Sequence, residues 1–123
     1  MAGVLLLGAG EFWTRNAQAQ ASPDAKVLAQ LKQAGSNLEK LHPIEFFLYF
    51  PSSEAAERAA AKVRDSGFAA IVKRAAKGSE FLVLATKTMV PTEAELINIR
   101  KEFGALTRVE KGEYDGWGTP IVN

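Results

Sequence analysis

Few residues of this 123-residue chain combine the type and spacing that chemistry requires. His42 is the only histidine, and Pro43 follows it. A general base needs a partner within hydrogen-bond reach, and no such partner stands beside His42 in sequence. It reads as a solvated loop side chain. Glu110, Glu113 and Asp115 cluster in sequence, but carboxylates in a turn are ordinarily solvated. There is no H-x-x-x-H spacing, paired cysteine or EF-hand loop to bind a metal. Gly8-Ala9-Gly10 and Gly116-Trp117-Gly118 lack the length, the lysine and the following helix of a phosphate loop. No serine occupies a nucleophile elbow. The chain has no cysteine, which excludes disulfides and thiolate chemistry and fits a reducing, cytoplasmic compartment. The expectation is no enzyme, no metal and no cofactor.

Aromatic groups offer a different chemistry. Phe47, Tyr49 and Phe81 lie in apolar runs, with Lys73, Arg74, Lys77 and Lys87 nearby. On an exposed sheet such rings can stack on RNA bases. Against this, the run around Phe81 lacks the Gly-aromatic-Gly/Ala-aromatic pattern of RNA-recognition modules. The net charge of +1 also supplies no global field toward nucleic acid. The preferred reading is that these rings are covered by the chain's N-terminal helix, by a protein partner or by a second copy.

The stretch that positions them is Ile44–Phe50, apolar or aromatic at all but Glu45 and stopped by Pro51. It reads as a central strand. Ile44, Phe46, Leu48 and Phe50 share one face; Glu45, Phe47 and Tyr49 share the other. Ser22-Pro23-Asp24 opens a helix over about 23–34, with Val27, Leu28 and Leu31 as its apolar stripe and Gly35 as its stop. Ser52 or Ser53 caps a second helix with an alanine-rich stripe (Ala56, Ala59 or Ala60, Val63) ending at Gly67. Phe68–Arg74 and Glu80–Val90 form two strands joined by a short loop. On the latter, Phe81, Val83, Ala85 and Lys87 alternate with Leu82, Leu84, Thr86 and Thr88. Thr92 and Glu95 form a capping box for a third helix, with Leu96, Ile99, Phe103 and Leu106 facing the core and Arg100 off that stripe. Glu113–Thr119, with two glycines, reads as an irregular edge strand.

Strand-helix-strand, hairpin, strand-helix-strand is the order of a ferredoxin-like α+β sandwich (βαββαβ). Its four-stranded antiparallel sheet carries two helices on one face, with the N-terminal helix as an addition. That helix is expected to cover part of the open face. Residues 1–21 are assigned to a leader or disordered tail, and a secretory signal fits poorly because no positive charge precedes Val4–Leu7. Residues 22–123 form one domain, with the ferredoxin-like core over about 43–120.

Ile44-Glu45, the alanine-rich helix ending at Gly67-Phe68, Thr86–Thr92, and above all Glu113-Tyr114-Asp115-Gly116-Trp117-Gly118-Thr119 resemble the regulator of ribonuclease activity B (RraB) domain over roughly Ser22 to Thr119. The resemblance implies a ferredoxin-like fold without catalysis. It also implies a protein partner, ribonuclease E, restrained by binding to its non-catalytic scaffold region. This chain departs from the strongly acidic founding type in its balanced charge. The partner-facing candidates are Phe47, Tyr49, Phe81, Lys87, Tyr114, Asp115 and Trp117. Trp117 has a second reading, as a packing clasp whose indole N–H needs an acceptor.

Overall fold

The computed structural model describes residues 21–76 and 78–123. Most of the expected leader, residues 1–20, and Lys77 lie outside them. The elements run α1 (Pro23–Gln33), β1 (His42–Phe50), α2 (Ser53–Asp65), β2 (Ala69–Arg74), β3 (Phe81–Met89), α3 (Glu93–Val109) and β4 (Glu113–Gly118). The four strands make one antiparallel sheet in the order β2-β3-β1-β4. This is the ferredoxin-like arrangement, with β1 and β3 central and the irregular β4 at an edge.

Each helix begins and ends for a local reason. The side-chain oxygens of Ser22, Ser52 and Thr92 accept from the backbone N–H groups of Ala25, Ala55 and Glu95, which satisfies a donor that each first turn leaves free. The three C-termini close by one device. Ser36, Phe68 and Gly112 donate backbone N–H bonds back to Leu31, Val63 and Thr107, and the preceding residues to Lys32, Arg64 and Arg108. This is the Schellman motif, which needs a left-handed residue. Gly35 and Gly67 supply it, but α3 uses Lys111 at φ 59°. The glycine there falls one position later for a packing reason. A Cβ at Gly112 would run into the Tyr49 carbonyl and the Phe50 ring.

The core lies between one sheet face and the helices. Ile44, Phe46, Leu48 and Phe50 are wholly buried, as the alternation on β1 predicts. Ala55, Ala56, Ala59, Ala60 and Val63 bury the small-residue side of α2, which lets that helix lie close to the sheet. On α3 the buried set is Leu96, Ile99, Phe103 and Thr107. Leu106 packs against this core half-buried, and Thr107 beside it is fully inside, its hydroxyl donating to the Gly104 carbonyl. Phe46, Phe68 and Phe103 meet ring to ring at 5.0–5.7 Å, an aromatic centre that joins strand to helix.

Helix α1 does not cover the open sheet face. It packs beside α3, within the helical layer. The physical reason is polar. Asp24, in the first turn of α1, is fully buried, and its partners Arg100 and Trp117 both lie on the helical side of the sheet.

Candidate functional site

The sheet register decides which candidates share a surface. Residues directly opposite in an antiparallel pair point to the same face. Phe50 pairs with Phe81 and Ile44 with Lys87. Phe81 and Lys87 therefore lie on the helical side, not beside Phe47 and Tyr49. Lys87 Nζ rests 4.9 Å from the Phe68 ring centroid, and the Arg74 guanidinium stands 5.2 Å from that of Phe81. The RNA-stacking reading thereby loses one of its three rings and the charge of Lys87.

The residues facing the other way include three rows that cross three or more strands, beyond the Pro43–Thr88 pair. Ala69, Thr86, Glu45 and Gly118 make one row. Ile71, Leu84 and Phe47 make the next, and Lys73, Leu82, Tyr49 and Glu113 the third. Ile71 is 55% exposed, Phe47, Leu84 and Tyr49 are half-buried, and Leu82 is buried. No described helix packs across these rows. Lys73 stands at the β2 edge, whereas Glu45, Glu113 and the exposed Asp115 occupy the β1–β4 half. None of these four charges makes an ion pair among the described residues.

The Tyr-Asp-Gly-Trp segment owes its form to a bulge. Phe46 pairs with Trp117 and Leu48 with Tyr114, so Asp115 and Gly116 oppose Phe47 alone. Gly116 adopts φ 101°, a conformation that glycine reaches without a Cβ penalty. Regular alternation would send residues 114 and 117 to opposite faces; the bulge turns both toward the helices. Trp117 is only 9% exposed, and its indole N–H donates to Asp24 Oδ1 at 2.9 Å. The Arg100 guanidinium donates to both carboxylate oxygens at 2.9 Å and lies 5.2 Å from the Tyr114 ring centroid. Its bond to Asp24 raises the Arg100 pKa further above its ordinary range. Asp24, Arg100 and Trp117 thus join α1, α3 and β4 in one polar clasp. Trp117 is buried and Tyr114 half-buried, both on the helical side of the sheet. Burial pushes the Tyr114 phenol pKa well above its ordinary value, and its oxygen has no hydrogen-bond partner among the described residues.

The sequence reading missed Asp24 and Arg100. The usable signal was the indole N–H of Trp117, which requires an acceptor.

His42 also departs from expectation. It is the first residue of β1 and is fully buried. Nδ1 donates to the Lys40 carbonyl at 2.8 Å, which leaves Nε2 to accept from the Ser36 hydroxyl at 2.7 Å. Ser36 Oγ in turn accepts from the Val122 backbone N–H at 3.0 Å. The Val122 carbonyl accepts from Asn37, and Lys40 Nζ donates to the Asn123 carbonyl. A serine next to a histidine invites a nucleophilic reading, but both are closed off by the chain they hold. The pair fastens the C-terminal segment to the α1–β1 loop.

The remaining polar links tie helices to each other and to the sheet. Arg58 and Glu110 form a two-pronged ion pair that raises the arginine pKa and lowers that of the carboxylate. Arg64 donates twice to the Ala70 carbonyl. Among the described residues no cluster of carboxylates or histidine could hold a metal ion. No described helix is long and apolar enough to cross a membrane.

Fold and clasp together define a ferredoxin-like domain whose helices close one side of the sheet, with no described helix packed across the other. Residues 22–119 match the family described as Regulator of ribonuclease activity B, and the chain belongs to that family. The match runs from the Ser22 cap of α1 to Thr119 just beyond β4, so it takes in all seven described helices and strands. No curated protein matches the chain.

Proposed function

We propose that this chain is a non-catalytic regulator of RNA turnover that docks as a protein on a ribonuclease. The family match over residues 22–119 carries the reading. The finer form is docking on the scaffold region of ribonuclease E, or a related factor, in the cytoplasm. The carboxylates support a docking margin on the β4 side of the sheet. Glu113 and Asp115 lie on the edge strand and Glu45 on its neighbour. A local acidic margin can steer a basic segment without global negative charge. Asp115 is its most separable member, because the bulge leaves it exposed while Tyr114 and Trp117 turn inward.

The test is titration of the full chain with purified scaffold segments of ribonuclease E. The expected result is saturable binding that falls by about tenfold in Asp115→Lys, a rim charge reversal. No binding at micromolar concentrations overturns direct docking.

A further inference from the structure

We propose that the open sheet face pairs with a second copy of this chain, about a two-fold axis parallel to the strands. The sheet register supports this pairing independently of the ribonuclease reading. Consider an axis midway between two facing sheets, running along the gap between β3 and β1. It lays β3 over the partner's β1 and β2 over the partner's β4 while each row stays on its own level. Two of the rows then match residue by residue, and in the third Ile71 faces the bulge of the partner's Asp115 and Gly116. Leu84 meets the partner's Phe47, and Leu82 meets the partner's Tyr49. Thr86 meets the partner's Glu45 as a donor facing an acceptor. Ala69 meets the partner's Gly118, which lets the margins approach. Lys73 meets the partner's Glu113. By symmetry every contact is made twice, as an isologous interface requires.

Charge complementarity is what selects a second copy over an unrelated occupant. Lys73 and Glu113 stand at opposite ends of one row, with apolar Leu82 and aromatic Tyr49 between them. A face that is positive at one edge and negative at the other is complementary to itself after a two-fold turn. A uniformly charged or wholly apolar face would lack that property. Stacked sheets twist by about 30°, so the central Leu–aromatic contacts align best and the long Lys73 side chain spans the offset at the margin.

The size of the face fits a reversible pair. Strands of six to nine residues, at ordinary rise and spacing, present roughly 500 Å² per copy. A pair then buries about 1,000 Å², near the lower limit for a specific interface. The expected dissociation constant is therefore on the order of micromolar. Pairing would cover the exposed Ile71 and the half-buried Phe47.

The experiment is sedimentation of the full chain across a dilution series, with two charge reversals that leave the core untouched. Wild type is expected to pass from dimer to monomer. Lys73→Glu and Glu113→Lys should each weaken pairing by about tenfold or more, because each places like charges together twice. An equimolar mixture of the two variants should recover the dimer, since each variant now supplies the charge that the other lacks. A wild type that stays monomeric to about 100 μM, well above the expected range, overturns the proposal. So does a mixture that fails to recover. Hydrogen exchange gives the remaining arm: protection of β1 and β3 amides that rises with protein concentration supports pairing. Protection independent of concentration, which the sheet's own hydrogen bonds suffice to give, overturns it. Failure to bind ribonuclease E segments has no bearing on any of these readouts.

Discussion

The two faces of β1 differ in how their groups are satisfied. On the helical face, Ile44, Phe46, Leu48 and Phe50 are wholly buried, and the polar groups beside them are matched except the Tyr114 hydroxyl, which has no partner among the described residues. Asp24 serves Arg100 and Trp117. His42 serves Ser36 and the Lys40 carbonyl. On the opposite face, Phe47 and Tyr49 are half-buried among Leu82, Leu84 and Ile71, and the charges at its margins make no described ion pairs. One strand, at alternating positions, thus anchors a finished core and an unfinished surface. Folding consumes the first set of contacts, and association can use the second.

Breaking the clasp should give the largest effect, and it should stay on the helical side. Asp24→Ala leaves the Trp117 N–H and the Arg100 guanidinium without their acceptor. Removing one partner of a buried pair is strongly destabilising, and with Arg100 about one-third exposed the expected loss is about 3 kcal/mol. Denaturant unfolding measures it, and self-association per folded molecule should be unchanged.

A smaller, opposite effect is expected at Tyr114. Its buried hydroxyl lacks a partner among the described residues, so Tyr114→Phe should stabilise by about 1 kcal/mol. The pH dependence has a definite sign. Burial raises the phenol pKa in the fold above its ordinary value of 10.0, so the folded state holds the proton more tightly than the unfolded chain. Stability from this group is complete below pH 10 and falls as pH rises beyond it. Alkaline unfolding followed by tyrosinate absorbance should show Tyr114 ionising with unfolding, a component that Tyr114→Phe removes.

The smallest effect is expected at the end of α3. Lys111 holds the left-handed position that glycine fills after α1 and α2. Lys111→Gly should raise stability by up to about 1 kcal/mol, read as a shift in melting temperature. A loss would show that the Lys111 side chain contributes more than its backbone strain costs.

Much of this was legible in the sequence. The caps at Ser22, Ser52 and Thr92, the stops at Gly35 and Gly67 and the inward set on β1 follow from local chemistry, and their order specifies the fold. The parity of β3 did not follow. Phe81, Val83 and Ala85 are as apolar as Leu82 and Leu84, so alternation defines two faces without saying which meets the helices. Only the pairing of Phe50 with Phe81 decides it. The position of α1 was hidden for another reason. An acidic residue in a first turn reads as solvated and dipole-matched, whereas Asp24 is wholly buried because two distant donors converge on it. His42 was misread likewise, since its partner Ser36 lies in the preceding loop and Val122 at the far end of the chain. Residues that unite remote segments leave little local pattern.

The division between the two faces is tested most directly by a matched pair of truncations on adjacent residues, Phe46→Ala and Phe47→Ala, each measured for unfolding and for self-association. Phe46→Ala should lose about 3–5 kcal/mol of stability, as expected for a buried ring in an aromatic cluster. Phe47→Ala should keep most of its stability and weaken pairing by at least about tenfold. Equal losses of stability in both variants, with pairing unchanged in Phe47→Ala, would contradict the account.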